Sequence, residues 1–101
     1  MQNYLFNKTK LYQQIRNNEP ALDDFVCYIF TKQEARQLYE AMKENTHVLN
    51  CDIRTCELAA DFQVIERYKN LTLKIVQENC QRELNKERTI HEMLLHRGGG
   101  V

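Results

Sequence analysis

The segment that follows Thr31 carries apolar residues at the spacing of an amphipathic helix. Thr31 and Glu34 form a capping box, a Ser or Thr followed three residues later by Glu, which is typical of a helix start. Four apolar residues then fall on one helical face: Ala35, Leu38, Tyr39 and Met42. The polar stretch 43–46, which contains Asn45, predicts the end of this helix.

A strand is predicted next, because apolar and polar residues alternate. Cys51 and Ile53 point to one face of such a strand, and Asp52 points to the other. Beyond a sharp turn, Cys56 is expected to shield backbone groups and Leu58 to return to the core. The predicted order is therefore helix, turn, strand and turn.

A fainter copy of this order lies one unit upstream. Its helix has four residues that precede Leu38, Tyr39, Met42 and Asn45 by 27 positions: Leu11, Tyr12, Ile15 and Asn18. Four apolar residues precede the places of Val48, Cys51, Ile53 and Cys56 by 26 positions: Leu22, Phe25, Cys27 and Phe30. In this register Phe25 and Cys27 face inward, whereas Val26 and Tyr28 face outward.

These positions match a known repeat. Apolar residues at the first, fourth, sixth and eleventh places, with Asn or Cys at the ninth, define the core of a leucine-rich repeat: Val48, Cys51, Ile53, Leu58 and Cys56. The junction Glu-Ala-Met-Lys-Glu-Asn-Thr-His-Val at 40–48 resembles ribonuclease-inhibitor-like repeat proteins, and it is similar to tropomodulin and leiomodin repeats. The resemblance covers about residues 31–58. It implies a right-handed coil with strands on one side and helices on the other, but no segment matches the actin-binding or tropomyosin-binding regions of tropomodulin.

Beyond Leu58 the repeat pattern gives way to a helical one. Ala59, Phe62, Ile65 and Tyr68 fit one face of a helix. The stretch 70–76 fits either a third strand or a longer helix. The stretch 76–97 lacks Gly and Pro and predicts a helix. We expect this part to cap the open end of the repeat coil.

Composition narrows the class of function. The 14 Lys and Arg residues balance the 14 Asp and Glu residues, so no basic face for nucleic acid is indicated. No apolar run approaches the roughly 20 residues of a membrane span, and the N-terminus lacks the pattern of a signal peptide. We therefore expect a cytoplasmic protein with four reduced cysteines, all at interior places.

Candidate catalytic and metal-binding residues are few. His47, Cys51 and Cys56 lack a second ligand pair at a zinc spacing. Nothing in the local sequence activates a cysteine for catalysis with His91 or His96 as the base. We therefore expect no enzyme activity, no cofactor and no metal.

The sequence thus predicts an α/β fold, namely a short right-handed coil like a leucine-rich repeat, with few parallel strands and a mainly helical C-terminal cap. The alternative is a small all-α domain. Residues 1–97 are expected to form a single domain with two repeat-like units at 11–58 and the cap at 59–97. Residues 98–101 are expected to form a flexible tail.

The expected function is that of a non-catalytic protein-interaction module whose partner is another, unidentified protein. The outward strand residues are expected to bind it: Asp24, Val26, Tyr28, Asp52 and Arg54. Tyr28 and Arg54 are the types most enriched at binding hot spots. Alternatively, Tyr28 only covers neighbouring apolar surface and the charges are solvated. A second alternative is a helical structural element that self-associates through 71–97; neither nucleic acid nor membrane is expected as a partner.

Overall fold

The computed structural model describes the backbone of residues 2–4 and 8–99 and the side chains of residues 8–94. Strands and helices alternate along this part of the chain: β1 Gln2–Tyr4, α1 Thr9–Arg16, β2 Asp24–Ile29, α2 Lys32–Met42, β3 Asn50–Thr55 and α3 Phe62–Gly99. The protein is therefore a small α/β structure, and the all-α alternative is wrong.

The strands form a parallel sheet in sequence order, β1-β2-β3. Phe25 lies opposite Cys51, and Cys27 lies opposite Ile53. The 26-residue offset seen in the apolar pattern is thus the observed register between β2 and β3. Phe25 and Cys27 are fully buried, whereas Tyr28 is only partly buried, which confirms the predicted inner and outer faces of β2.

The helices pack side by side in sequence order, and the core lies between them and the inner face of the sheet. The predicted start of α2 is confirmed, because the Thr31 hydroxyl accepts a hydrogen bond from the Glu34 amide at 3.1 Å. The Glu34 carboxylate in turn accepts one from the Phe30 amide at 3.3 Å. The apolar face of α2 is buried as predicted, with Leu38 and Met42 at its centre.

The turn between α2 and β3 is built around the buried side chain of Asn45. Its Nδ2 donates to the backbone oxygen of Ile15 at 3.1 Å, and its Oδ1 accepts from the amides of His47 and Val48 at 3.0 and 2.8 Å. Asn18 holds the equivalent place after α1. Its Nδ2 donates to the Thr46 hydroxyl and its Oδ1 accepts from the Thr46 amide, both at 2.8 Å. The two asparagines at equivalent places therefore tie α1 to the turn that follows α2.

A single helix, α3, forms the C-terminal part. The ambiguous stretch 70–76 is helical, and the face that contains Ile65, Thr72, Val76 and Asn79 is buried against α2 and β3. At 38 residues the helix is about 57 Å long, and it accounts for most of the 64 Å longest dimension. It runs to Gly99, two residues into the stretch predicted as a tail; residues 100 and 101 lie outside the described residues.

Two predictions about the turn after β3 are wrong. Leu58 was expected in the core but is 94% exposed, and Cys56 is exposed rather than interior. The reason is a pair of successive turns, in which the Ala59 amide bonds to the Cys56 oxygen and the Phe62 amide to the Ala59 oxygen, both at 3.1 Å. These turns direct Ala59 towards the core and leave Leu58 outside.

The four cysteines are free, and their burial differs. Cys27 is buried as predicted, whereas Cys51 and Cys80 are only partly buried. Phe30, at the place equivalent to Cys56, is 50% exposed. The place just after each of these two strands therefore lies at the surface and not in the core.

Candidate interaction surface

The five residues predicted to bind a partner lie on the sheet face opposite the core. Val26 is paired with Asp52, and Tyr28 is paired with Arg54, across β2 and β3. Asp24 lies at the start of β2, opposite Asn50. The sequence pattern placed all five on this face because side chains alternate along strands whose other face is buried.

Three of the five side chains contact one another. Arg54 Nε lies 3.0 Å from Asp52 Oδ2, and its Nη1 donates to the Tyr28 hydroxyl at 3.1 Å. The guanidinium also lies 5.6 Å from the centre of the Tyr28 ring, a cation–π distance. The hydrogen bond to Asp52, followed by the one to Tyr28, raises the pKa of Arg54. Arg54 is therefore held in one orientation while its side chain remains 57% exposed.

This group continues into two residues outside the five that the sequence predicts. The rings of Tyr28 and Phe30 are stacked, with centroids 6.5 Å apart and planes 14° from parallel. Lys8 Nζ lies 5.2 Å from the centre of the Phe30 ring and is paired with Glu34. We call the line of side chains the cation–aromatic row: Lys8, Phe30, Tyr28 and Arg54.

The place of Phe30 on this face can be predicted from the sequence, whereas that of Lys8 cannot. Phe30 follows Tyr28 by two positions, so the strand alternation alone places it on the outward face. Lys8 precedes β2 by a whole helix, and its place depends on the tertiary contact with Glu34. No local signal marks that contact.

The charge of this face is uneven along the strands. Asp24 and Asp52 stand towards the beginning and middle of the strands, with the partly buried Val26 between them on the same face. The cations Arg54 and Lys8 stand towards the strand ends, beside Tyr28 and Phe30. Lys8 is buried and paired with Glu34. A partner on this surface would therefore meet Asp24 at one end and the Tyr28 and Phe30 rings with the Arg54 guanidinium at the other.

A cleft lies between α1 and α2, and two of its charges, Lys8 and Glu34, are paired with each other. Its volume is about 330 Å³, and its lining includes Lys8, Tyr12, Arg16 and Glu34. Lys8 is bound to Glu34, and the Tyr12 hydroxyl donates to the Glu34 backbone oxygen at 3.2 Å. Burial, with the nearby Glu34 charge, raises the pKa of Tyr12, which keeps this hydroxyl protonated.

The described residues contain no group of three or more His, Cys, Asp or Glu side chains that could hold a metal ion. Burial raises the pKa of the Cys27 and Cys51 thiols to about 12. Both thiols are therefore protonated at neutral pH, and a protonated thiol is a poor nucleophile. Cys56 directly follows the end of β3 and is exposed.

Comparisons of the chain with models of known protein families, with curated proteins and with solved structures find no match. Within the described residues, no helix combines the length and apolar character needed to cross a membrane.

Proposed function

We propose that this protein is a non-catalytic interaction module that binds another protein through the outward face of β2 and β3. The observation that carries the proposal is the arrangement of Arg54, which is fixed by Asp52 and Tyr28 yet still exposed. Arginine has five N–H donors, and only two serve these bonds. Because the side chain is already ordered, a partner carboxylate or carbonyl binds it with a smaller loss of conformational entropy.

The same proposal includes the architecture, a short right-handed coil of the leucine-rich-repeat type. Supporting it are the sequence-order parallel strands, the helix after each strand and the 26-residue register of β2 and β3. Parallel strands joined through a helix are right-handed in nearly all known cases. In such coils the outward strand face is the extended surface that binds partners.

The test compares partner capture by the wild type, Tyr28→Ala, Arg54→Ala and the double variant. The bait is the full chain, and each captured protein is quantified by mass spectrometry. Truncation of a hot-spot residue costs about 2 kcal/mol or more, so we expect the double variant to retain less than about a tenth of a specific partner. Circular dichroism checks that each variant is folded.

The matched control is Gln63→Ala with Arg67→Ala, two exposed residues on α3. This pair removes one polar group and one guanidinium away from the sheet. We expect it to capture the same partner as the wild type. Equal capture by the Tyr28 and Arg54 double variant would reject the outward face as the binding surface and leave Tyr28 as a cover for apolar surface.

A second candidate function is self-association through α3. It is favoured by three apolar residues near the end of the helix that are about 60% exposed: Ile90, Met93 and Leu94. Ile90 and Leu94 are one turn apart and share a face. Replacement of both by Glu should abolish any assembly that depends on this segment, as measured by sedimentation, and an unchanged assembly would reject this candidate.

A further inference from the structure

The strand β3 ends the sheet, and its outer edge faces no other strand within the described residues. The Asp23 oxygen accepts from the Leu49 amide at 2.8 Å and from the Asn50 amide at 3.2 Å. The Asn50 bond is the one that fits the register in which Asp24 lies opposite Asn50, so within the strand the amide of Asn50 faces β2. Backbone groups of successive strand residues point to opposite edges. The N–H and C=O groups of Cys51 and Ile53 therefore face the open edge, where they are available to another strand.

The helix α3 packs against β3, and contacts near both ends of the strand fix its direction. Cys80 Sγ lies 2.8 Å from the Leu49 oxygen at the beginning of β3, and the Thr55 hydroxyl donates to Glu66 at 2.9 Å at its end. The helix thus runs antiparallel to the strand along its length. Exposed strand edges of this kind are templates for pairing with another chain.

We infer that the open edge of β3 pairs antiparallel with β3 of a second copy of this chain, about a two-fold axis at Ile53. Such a symmetric interface is the commonest kind in homodimers. It would join the two sheets into one, with both core faces on the same side. The charges along the strand favour this partner and this register.

In an antiparallel pair that keeps both core faces together, the numbers of opposed residues have an even sum. Centring the axis on Asp52 opposes aspartate to aspartate, and centring it on Arg54 opposes arginine to arginine. Centring it on Ile53 places Asp52 opposite the Arg54 of the second copy, twice. Opposed unlike charges stabilise strand pairing, whereas opposed like charges destabilise it.

The charges that already touch within one chain strengthen this register. Arg54 Nε lies 3.0 Å from Asp52 Oδ2 of the same strand. In the dimer, each Asp52 would lie between two arginines, the Arg54 of its own strand and the Arg54 of the second copy. Each Arg54 would lie between two aspartates in the same way. On the inner face, Ile53 would meet Ile53 of the second copy, and the partly buried Cys51 would meet Thr55.

The test is the oligomeric state of the full chain, measured by sedimentation over a concentration series. We expect a concentration-dependent dimer for the wild type. Asp52→Arg alone and Arg54→Asp alone each oppose like charges and should raise the dimer dissociation constant at least tenfold. An equimolar mixture of these two variants restores both unlike pairs, so it should form a heterodimer.

Two further measurements test whether the dimer contact is the edge of β3 and not α3. The variant with Ile90→Glu and Leu94→Glu, on the remote part of α3, should dimerise like the wild type. Hydrogen exchange at the amides of Cys51 and Ile53 should slow as concentration rises, whereas the Asp52 amide, which faces β2, should not change. Partner capture by Tyr28→Ala alone keeps both charges of the dimer contact, so a failure of the proposed binding surface is distinguished from a failure of the dimer.

Any of several outcomes would overturn the inference. A wild type that stays monomeric up to its solubility limit leaves the edge unoccupied by a second copy. A dimer that is indifferent to both charge reversals, or a mixture that remains monomeric, rejects the Ile53 register. Loss of the dimer in the Ile90 and Leu94 variant would assign the contact to α3 instead.

Discussion

The side chain of Asn79 in α3 donates a hydrogen bond to the backbone oxygen of Val48, 3.0 Å away, at the point where the chain enters β3. The same Nδ2 lies 3.4 Å from Asn45 Oδ1, and Asn45 is bound in turn to the Ile15 oxygen at the end of α1. Both asparagines are buried. Their side chains therefore connect α1, the turn after α2 and α3 through a continuous set of polar contacts inside the core.

Replacement of Asn79 by Ala should lower the free energy of unfolding by about 2 kcal/mol, because it leaves the buried Val48 oxygen without this donor. The control is Asn70→Ala on the same helix, an exposed residue for which we expect a change below about 0.5 kcal/mol. Urea unfolding followed by circular dichroism measures both. Equal effects of the two substitutions would contradict a structural role for the Asn79 amide.

Thr72 offers a substitution that should stabilise the protein. Its side chain is fully buried, and its hydroxyl has no hydrogen-bond partner among the described residues. Thr72→Val keeps the shape and removes the polar group, so the free energy of unfolding should rise by about 1 kcal/mol. Thr72→Ser keeps the hydroxyl, removes a methyl group and should be destabilising. If the Val variant is the less stable of the two in urea unfolding, the hydroxyl has a partner in solution.

The stability of the protein should fall in alkali. Burial raises the pKa of Cys27 from its ordinary 9.0 to about 12, so the thiol stays protonated in the folded state while it ionises in the unfolded state. Between pH 9 and 12 the unfolded state therefore binds fewer protons, and stability decreases as pH rises. Below pH 9 this contribution is fully present. One such group accounts for a slope of up to about 1.4 kcal/mol per pH unit.

Urea unfolding at pH 8, 9 and 10 measures that slope. Cys27→Ala should be less stable at pH 8, since it leaves space in the core, but its stability should depend less on pH than that of the wild type. Cys56→Ala is the control, because this thiol is exposed, and it should keep the wild-type slope. Parallel pH profiles for the wild type and Cys27→Ala would show that this thiol does not control alkaline stability.

The register of the sheet could be predicted from the sequence because both strands bury one face. Phe25 and Cys51 are paired at the offset that the apolar pattern gave, since a shift of one residue would turn every inward side chain outward. The outward positions of Tyr28 and Arg54 follow from the same alternation. These features depend on local periodicity, which a single sequence contains.

Features that depend on tertiary contacts or turn geometry could not be predicted in this way. Asn79 is a polar residue in a helix, which an amphipathic pattern assigns to solvent, yet it is buried and its amide donates to the Val48 oxygen. Lys8 joins the cation–aromatic row through Glu34, which is 26 residues away. The repeat pattern also assigned Leu58 to the core, but the turns after Cys56 direct Ala59 there instead.

The exposure of Leu58 gives the last prediction. A residue that is 94% exposed loses little apolar burial when it is replaced, so Leu58→Ser should change the free energy of unfolding by less than about 0.5 kcal/mol. Leu38→Ala, at a buried position of α2, should lower it by about 2–5 kcal/mol. Urea unfolding of the two variants decides between the turn and the repeat pattern. If Leu58→Ser is as destabilising as Leu38→Ala, Leu58 occupies the core place that the leucine-rich-repeat pattern gives it, and the turn after β3 folds differently.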